Sequence, residues 1–299
     1  AFVFALSNGV WQQVTKLTAD DAAGEDLFGS SVAIDGDFIV IGAYGDDSGG
    51  SSSGAAYAFE KINGVWTQID KLTANDASSN DLFGRSLALS GDTVVIGAYQ
   101  AEKTGTGATG AAYVFRRIGG MWQQIAKLTA NDAASGDGFG VDVAIDGDTI
   151  VVGAFQDHEG AADSGAAFVF REIGGVWQQI AKLTSGDPVE NANFGRGVDI
   201  EGQRIVVGAY RDNASGFESG TVYLWEESEG TWQGPVEYTP TETAAGDRFG
   251  FAIAIYGNRS IVGAFLDDDK GADSGSAFLL TFAADDCNSN GVLDECDLA

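Results

Sequence analysis

The sequence predicts an all-β chain, a β-propeller of four-stranded antiparallel blades, and three observations carry that reading. Phe-Gly recurs at Phe28-Gly29, Phe83-Gly84, Phe139-Gly140, Phe194-Gly195 and Phe249-Gly250. Tryptophan recurs in step at Trp11, Trp66, Trp122, Trp177 and Trp232, and Gly-Ala-aromatic at Gly42, Gly97, Gly153, Gly208 and Gly263, all with one spacing of about 55 residues. Self-similarity at a fixed period of this length marks a ring or an array of like units. Each unit holds four short runs rich in β-branched and aromatic residues, and none has a helical apolar period.

The runs follow one order. The first reads FGSSVAI from Phe28 and the second FIVIGAY from Phe38, with Asp35-Gly36 between them as a hairpin signal. The third is AAYAFE from Ala55, and the fourth is VWTQIDKLT from Val65, entered through Asn63-Gly64. The second run is almost continuously apolar, as in Val94 to Tyr99, so it must be covered on both faces. Blades packed face to face in a ring supply that cover. The chain opens in a third run (AFVF, Ala1 to Phe4) and a fourth (VWQQV), and its last unit lacks a Trp-containing fourth run. The expected ring therefore has five blades, closed by the N-terminal VWQQV strand, or six or seven if the chain is a fragment. The propeller is placed at residues 1–282 and an acidic tail or linker at 283–299.

Charge narrows the function. There are 44 acidic and 16 basic side chains, a formal net charge of −28. Phosphate recognition needs clustered Lys and Arg, so nucleic acid is excluded as a partner. Docking on an anionic membrane surface is excluded on the same ground, and no apolar run approaches the roughly 20 residues that span a bilayer. The hydrophobic fraction of 44% belongs to a folded domain rather than an acidic disordered tail.

Phe-Gly, Val-Ala-Ile, Ile-Gly-Ala-Tyr and Gly-Ala-Ala-Tyr-Val-Phe together resemble FG-GAP repeats, the units of integrin α-subunit propellers and of many bacterial surface proteins. The Lys-Leu-Thr-Ala-Asn-Asp segments at Lys71 to Asp76 and Lys127 to Asp132 are similar to the bacterial variety. The resemblance covers about residues 1–282. It implies an exported, extracellular or surface-displayed propeller used for adhesion, ligand capture or assembly, with a protein or glycan partner at the cell surface or with copies of itself. Integrin-type units often carry a calcium loop between the first and second strands. Here that link is a tight turn such as Ile34-Asp35-Gly36-Asp37, too short to wrap a cation, and Tyr or Phe stands where the family has the Pro of its GAP.

In an up-and-down blade, the loops from second to third strand and from fourth to next first strand leave at one end. Those loops carry more than half of the 44 acidic side chains. Recurrent among them are Asp21, Asp26, Asp46, Asp76, Asp81, Asp132, Asp137, Asp157, Asp212, Asp247 and Asp267. Two readings of this rim stand side by side. The carboxylates fold their own loops as Asx-turns, or they hold a cation or partner, since calcium takes 6–8 oxygens.

The tail from Asp286 to Asp297 fits an EF-hand-like frame and resembles the calcium loops of thrombospondin type 3 repeats. Its calcium ligands would be Asp286, Asn288, Asn290, Val292, Asp294 and Asp297, and a disulfide between Cys287 and Cys296 would staple the loop in an oxidising compartment. Catalysis finds little footing. The single histidine, His158, sits in an acidic loop with no marked nucleophile. Asp142 and Asp199 interrupt otherwise apolar or small first strands near Arg85 and Arg196, and two carboxylates at a set distance suffice for glycoside hydrolysis. The expected function is thus a non-catalytic, calcium-dependent binding or adhesion propeller. Its alternatives are a structural subunit assembling by strand exchange and a carbohydrate-active enzyme using axial carboxylates.

Overall fold

Alternating turn chemistry and two-sided apolar second strands produce a train of antiparallel sheets. The computed structural model describes residues 1–103, 107–158 and 160–282. A hairpin of β1 (Phe2–Ser7) and β2 (Val10–Lys16) comes first. Blade one is β3 (Val32–Asp35), β4 (Phe38–Ala43), β5 (Ala55–Ile62) and β6 (Val65–Leu72). Blade two is β7 (Ser86–Ser90), β8 (Thr93–Ala98), β11 (Ala111–Ile118) and β12 (Met121–Leu128), and its long loop holds the small pair β9 (Glu102–Lys103) and β10 (Gly107–Ala108). Blade three is β13 (Phe139–Asp146), β14 (Thr149–Ala154), β15 (Ala166–Ile173) and β16 (Val176–Leu183). Blade four is β17 (Phe194–Glu201), β18 (Arg204–Ala209), β19 (Thr221–Ser228) and β20 (Thr231–Tyr238). Blade five has β21 (Phe249–Tyr256), β22 (Arg259–Ala264) and β23 (Ser276–Thr281).

Each blade runs up and down in sequence order, and the first strands β3, β7, β13, β17 and β21 pack on one another in turn along the inside of the propeller. The five blades and their four-run pattern follow the sequence reading. One expectation differs. Val10–Lys16 does not complete blade five, which has three strands; it pairs with Phe2–Ser7, from Phe2 opposite Lys16 to Ser7 opposite Val10. The reason is local. AFVF is a third-run sequence, and β1–β2 forms with the same register and the same bulge as the third–fourth hairpins of blades one to three. The strand read as surplus thus already holds the edge that blade five would use.

The junctions between blades are unusually close because each is built on two glycines. The second-strand glycine of one blade lies under the Phe-Gly glycine of the next. A Cβ on Gly42 would stand 2.0 Å from the Gly84 carbonyl oxygen; on Gly97, 2.1 Å from that of Gly140; on Gly153, 1.9 Å from that of Gly195; on Gly208, 1.9 Å from that of Gly250. The Phe-Gly glycines are themselves left-handed, at φ 87° for Gly84 and 89° for Gly140, which only glycine adopts without strain. The phenylalanine beside each turns inward. Phe83, Phe139, Phe194 and Phe249 are fully buried, each against a third-strand aromatic such as Tyr113 or Phe168 with ring centroids 5.5 Å apart. Serine adds a tether across two junctions, where Ser31 Oγ donates to the Gly84 carbonyl and Ser86 Oγ to that of Gly140, at 2.8 and 2.9 Å. β8 and β14 are buried along their whole length, as their apolar runs require.

The acidic rim as candidate functional site

The second-to-third and fourth-to-first loops do share one end of the molecule, because they are hydrogen-bonded to one another across blades. Phe83 N–H donates to Ser53 O, Phe139 N–H to Thr109 O, Phe194 N–H to Ser164 O and Phe249 N–H to Ser219 O. Within this rim the recurrent carboxylates divide into three sets.

The first set folds the fourth-to-first loop. Asp26, Asp81, Asp137 and Asp247 are buried, and each accepts the N–H of the residue three positions earlier, from Ala23, Ser78, Ala134 and Ala244, at 2.6–2.7 Å. Burial pushes the Asp81 and Asp137 carboxyls above the ordinary range. The second set folds the second-to-third loop. Asp46, Asp157, Asp212 and Asp267 are also buried, and Asp46, Asp212 and Asp267 accept N–H groups two residues on, from Ser48, Ala214 and Asp269. Seven of these eight aspartates thus accept loop backbone N–H groups, and Asp46, Asp212 and Asp267 do so in the Asx-turn pattern.

The third set, Asp21, Asp76 and Asp132, is exposed, and each meets the lysine that ends a fourth strand. Lys71 on β6 places Nζ 2.6 Å from Asp21, 2.8 Å from Asp46 and 2.7 Å from Ser48. Lys182 on β16 repeats the arrangement with Asp132 at 2.7 Å and Asp157 at 3.1 Å, and Lys127 on β12 reaches Asp76 at 2.6 Å. The ammonium occupies the place a cation would take between paired carboxylates. Burial would raise the Asp46 carboxyl, but Lys71 and the neighbouring Ser48 groups hold it down at about 2. The signal for this was present in the sequence as a lysine at Lys16, Lys71, Lys127 and Lys182, in step with the acids.

Blade four departs from the pattern. Glu237 stands where blades one to three have lysine, so Asp212 has Tyr223 Oη at 3.3 Å and the Ala214 N–H but no ammonium, and burial raises its carboxyl. Among the described residues no group of three His, Cys, Asp or Glu side chains has a geometry for a metal ion. The eleven candidate positions are thus brought to one rim, yet most face inward. The described acids that reach solvent there include Asp20, Asp21, Glu25, Asp47, Asp76, Glu102, Asp132, Asp187, Glu190, Glu242, Asp268, Asp269 and Asp273. Asp286, Asn288, Asn290, Val292, Asp294 and Asp297, with Cys287 and Cys296, lie outside the described residues.

The axial carboxylates act as staples between blades. Asp142 Oδ2 accepts Val198 N–H at 3.0 Å, and Asp199 accepts Ile255 N–H at 2.7 Å through Oδ2 and Ile200 N–H at 2.9 Å through Oδ1. Burial pushes both carboxyls up to about 6. Asp142 keeps part of its surface open to solvent although protein surrounds it, so water screens some of that effect. Arg196 lies over Phe251 at 4.3 Å and Arg85 over Tyr44 at 5.4 Å, so neither arginine is aimed at these acids alone. Tryptophans of the fourth strand pack towards the preceding blade where one exists, as Trp122 does on Phe38 with ring centroids 6.2 Å apart: Trp122 is 7% exposed and Trp177 9%, against 68% for Trp11. His158 Nδ1 bonds Gln156 O at 2.7 Å in an exposed loop.

Fold and rim together define a repeat propeller whose blades share one junction chemistry and one loop chemistry. The FG-GAP repeat pattern matches the chain at residues 11–59, 66–115, 122–170, 177–225 and 232–280, and the chain belongs to that family. Each match begins at the fourth-strand tryptophan and ends in the third strand of the following blade, so the sequence unit straddles a blade boundary. No curated protein matches the chain.

Proposed function

We propose that the protein is an exported, non-catalytic binding propeller that engages a basic partner surface, on a protein or glycan at the cell surface, through the exposed acids of its rim. The observation that carries this is the division of the rim. The buried aspartates are committed to loop backbone and the lysine-bridged ones to Lys71, Lys127 and Lys182, whereas Asp20, Asp47, Asp187, Glu190 and Asp268 stand in solvent without a lysine. A one-signed rim steers an oppositely charged partner and sets its on-rate. FG-GAP membership is consistent with surface binding and with export. Calcium enters this reading through the tail loop, Asp286 to Asp297, which would order the segment following the propeller.

The reading is tested by moving equal charge from the two ends. Retention of the whole chain on an immobilised lysine-rich peptide is measured across a salt series, with and without calcium. Neutralising Asp20, Asp47 and Asp187 to Asn is expected to weaken retention by tenfold or more. Neutralising Asp37, Asp92 and Asp148, in the first-to-second turns at the opposite end, is expected to leave it within twofold. Equal losses from both ends would mean that net charge alone is responsible and the rim has no role.

A further inference from the structure

Every internal junction uses the same glycine approach and the same buried second- and third-strand positions, and the two ends of the blade train carry the two halves of that set. On blade five, Ile261 and Leu279 are 53% and 66% exposed, whereas their counterparts Val40, Val95, Val151 and Val206, and Ala58, Val114, Val169 and Leu224, are at most 4% exposed. A Cβ on Gly263 would meet only Ala252, so the fifth second-strand glycine lacks the Phe-Gly glycine that its four counterparts have. On blade one, Val32 and Ile34 are 60% and 62% exposed, and a hollow of about 230 Å³ opens between them and Phe2, Phe4 and Leu17. In the internal junctions, the second-strand valine of the preceding blade shares a core cluster with the residue at this place, Val40 with Leu87 and Val151 with Val198. Ile261 stands at the position of those valines on blade five.

The edge of blade five is specified too. A fourth strand like those of blades one to three would bring a lysine to Glu242 and the buried Asp267, as Lys182 is brought to Asp132 and Asp157, and a glutamine to the Thr241 N–H, as Gln179 Oε1 accepts Asn131 N–H at 3.0 Å. β2 carries both, as Lys16 and Gln13, together with the exposed Trp11. β1 and β23 present like sequences to it. Phe2, Val3, Phe4 and Ala5 oppose Lys16, Thr15, Gln13 and Gln12, and by the register of β15 with β16 so would Phe278, Leu279, Leu280 and Thr281. Exchange of β2 from β1 to β23 therefore keeps its pairings and adds burial, because β1 is mostly exposed where it stands.

We propose that blade five of one molecule takes β2 of a second copy, so that blade one of that copy docks as the next blade and Gly263 meets its Gly29. The donor belongs to another copy because β21 and β3 of one chain do not form the packing that each consecutive pair of first strands forms. The contact is heterologous and extends head to tail, into a closed ring of copies or a filament. It names self-assembly where the binding reading above names a foreign partner, and it uses the blade faces, not the rim.

The whole chain is measured by native mass spectrometry over a concentration series. Thr281→Cys and Gln12→Cys are then combined in a chain with Cys287→Ser and Cys296→Ser, and oxidised. Concentration-dependent oligomers that become a covalent ladder are the expected result, and Gly263→Ala is expected to raise the concentration for half-association at least tenfold without loss of the monomer's fold. A cross-linked species of monomer mass would show the chain's own β2 on β23 and overturn the proposal. So would a chain that stays monomeric and uncross-linked, or assembly that Gly263→Ala leaves untouched. The rim-neutralised variants keep this assembly if the two readings are independent, so failure of one does not disguise failure of the other.

Discussion

Gly153→Ala and Gly263→Ala change the same place in the repeat and are expected to behave oppositely. A methyl group on Gly153 would stand 1.9 Å from the Gly195 carbonyl oxygen and 2.9 Å from its carbon. An ordinary C···O approach is roughly 3.3 Å, so blades three and four would have to part by on the order of 1.4 Å. Both neighbours are backbone, and no rotamer can absorb the strain. A gap of this size forfeits about half of the dispersion attraction across the junction, and that junction is lined by the buried Val151, Val198 and Ile200. Overpacked cores lose typically about 1–3 kcal/mol, and a clash between two main chains belongs at the upper end. For a chain of this size that lowers the thermal midpoint by on the order of 5–10 °C. On Gly263 the nearest atom is 3.8 Å away, and the midpoint of the dilute, monomeric chain should move by less than about 1 °C. The assay is thermal unfolding followed by tryptophan fluorescence at low protein concentration. If Gly153→Ala melts with the wild type, or Gly263→Ala falls with it, close approach of the glycines is not what holds the blades together.

Three further outcomes follow from the carboxylates. Lys71→Met leaves buried Asp46 without its ammonium and should cost about 2–3 kcal/mol at pH 7 by urea unfolding. Because the Asp46 carboxyl is depressed to about 2, this contribution is full above the ordinary aspartate range and disappears as pH falls through about 2; a difference that persists unchanged at pH 2 would contradict it. Glu237→Lys should restore the missing ammonium to blade four, lower the Asp212 pKa read by NMR titration, and stabilise by about 1 kcal/mol; an unmoved Asp212 would refute the repeat analogy. Asp142 and Asp199 have raised carboxyls, so stability should rise as pH falls through about 6 toward 4, where the folded state alone takes up protons. Asp142→Asn keeps an acceptor for Val198 N–H and should flatten that rise, gaining on the order of 1–2 kcal/mol at pH 7; a steeper pH profile in the variant would exclude the assignment.

The blade pattern was legible in the sequence because it rests on local chemistry. Asp35-Gly36, Gly147 and Gly202 make their hairpins whatever surrounds them, and an unbroken apolar run such as Val94 to Ala98 has to be covered on two sides. Closure was not legible, since it depends on which of two like strands, Phe2–Ser7 or Ser276–Thr281, holds β2, and both offer it a Phe followed by apolar side chains. The rim divided in the same way. Spacing located the acids, but whether an aspartate faces a loop N–H, a lysine or water is set by contacts across about 50 residues, as between Lys71 and Asp21. The lysines recur visibly at Lys71 and Lys127, but their acid partners lie in the loop of another repeat, about 50 residues away. The glycine pairs escaped because their partners are in different blades, and a carbonyl oxygen leaves no mark in a sequence.

The phase difference between sequence unit and blade has a consequence for how such a chain can change in length. A unit that starts at Trp122 and ends before Trp177 contributes the outer strand to blade two and the inner three to blade three. Excising or duplicating one such stretch between equivalent points breaks no blade, because the outer strand of the next unit has the same Trp and, in three of the four internal cases, the same Gln and Lys with which to take the vacated edge. Covalent continuity thus crosses every joint, like overlapping courses of brick. Recombination can alter the number of blades while each joint remains the one already tested by folding.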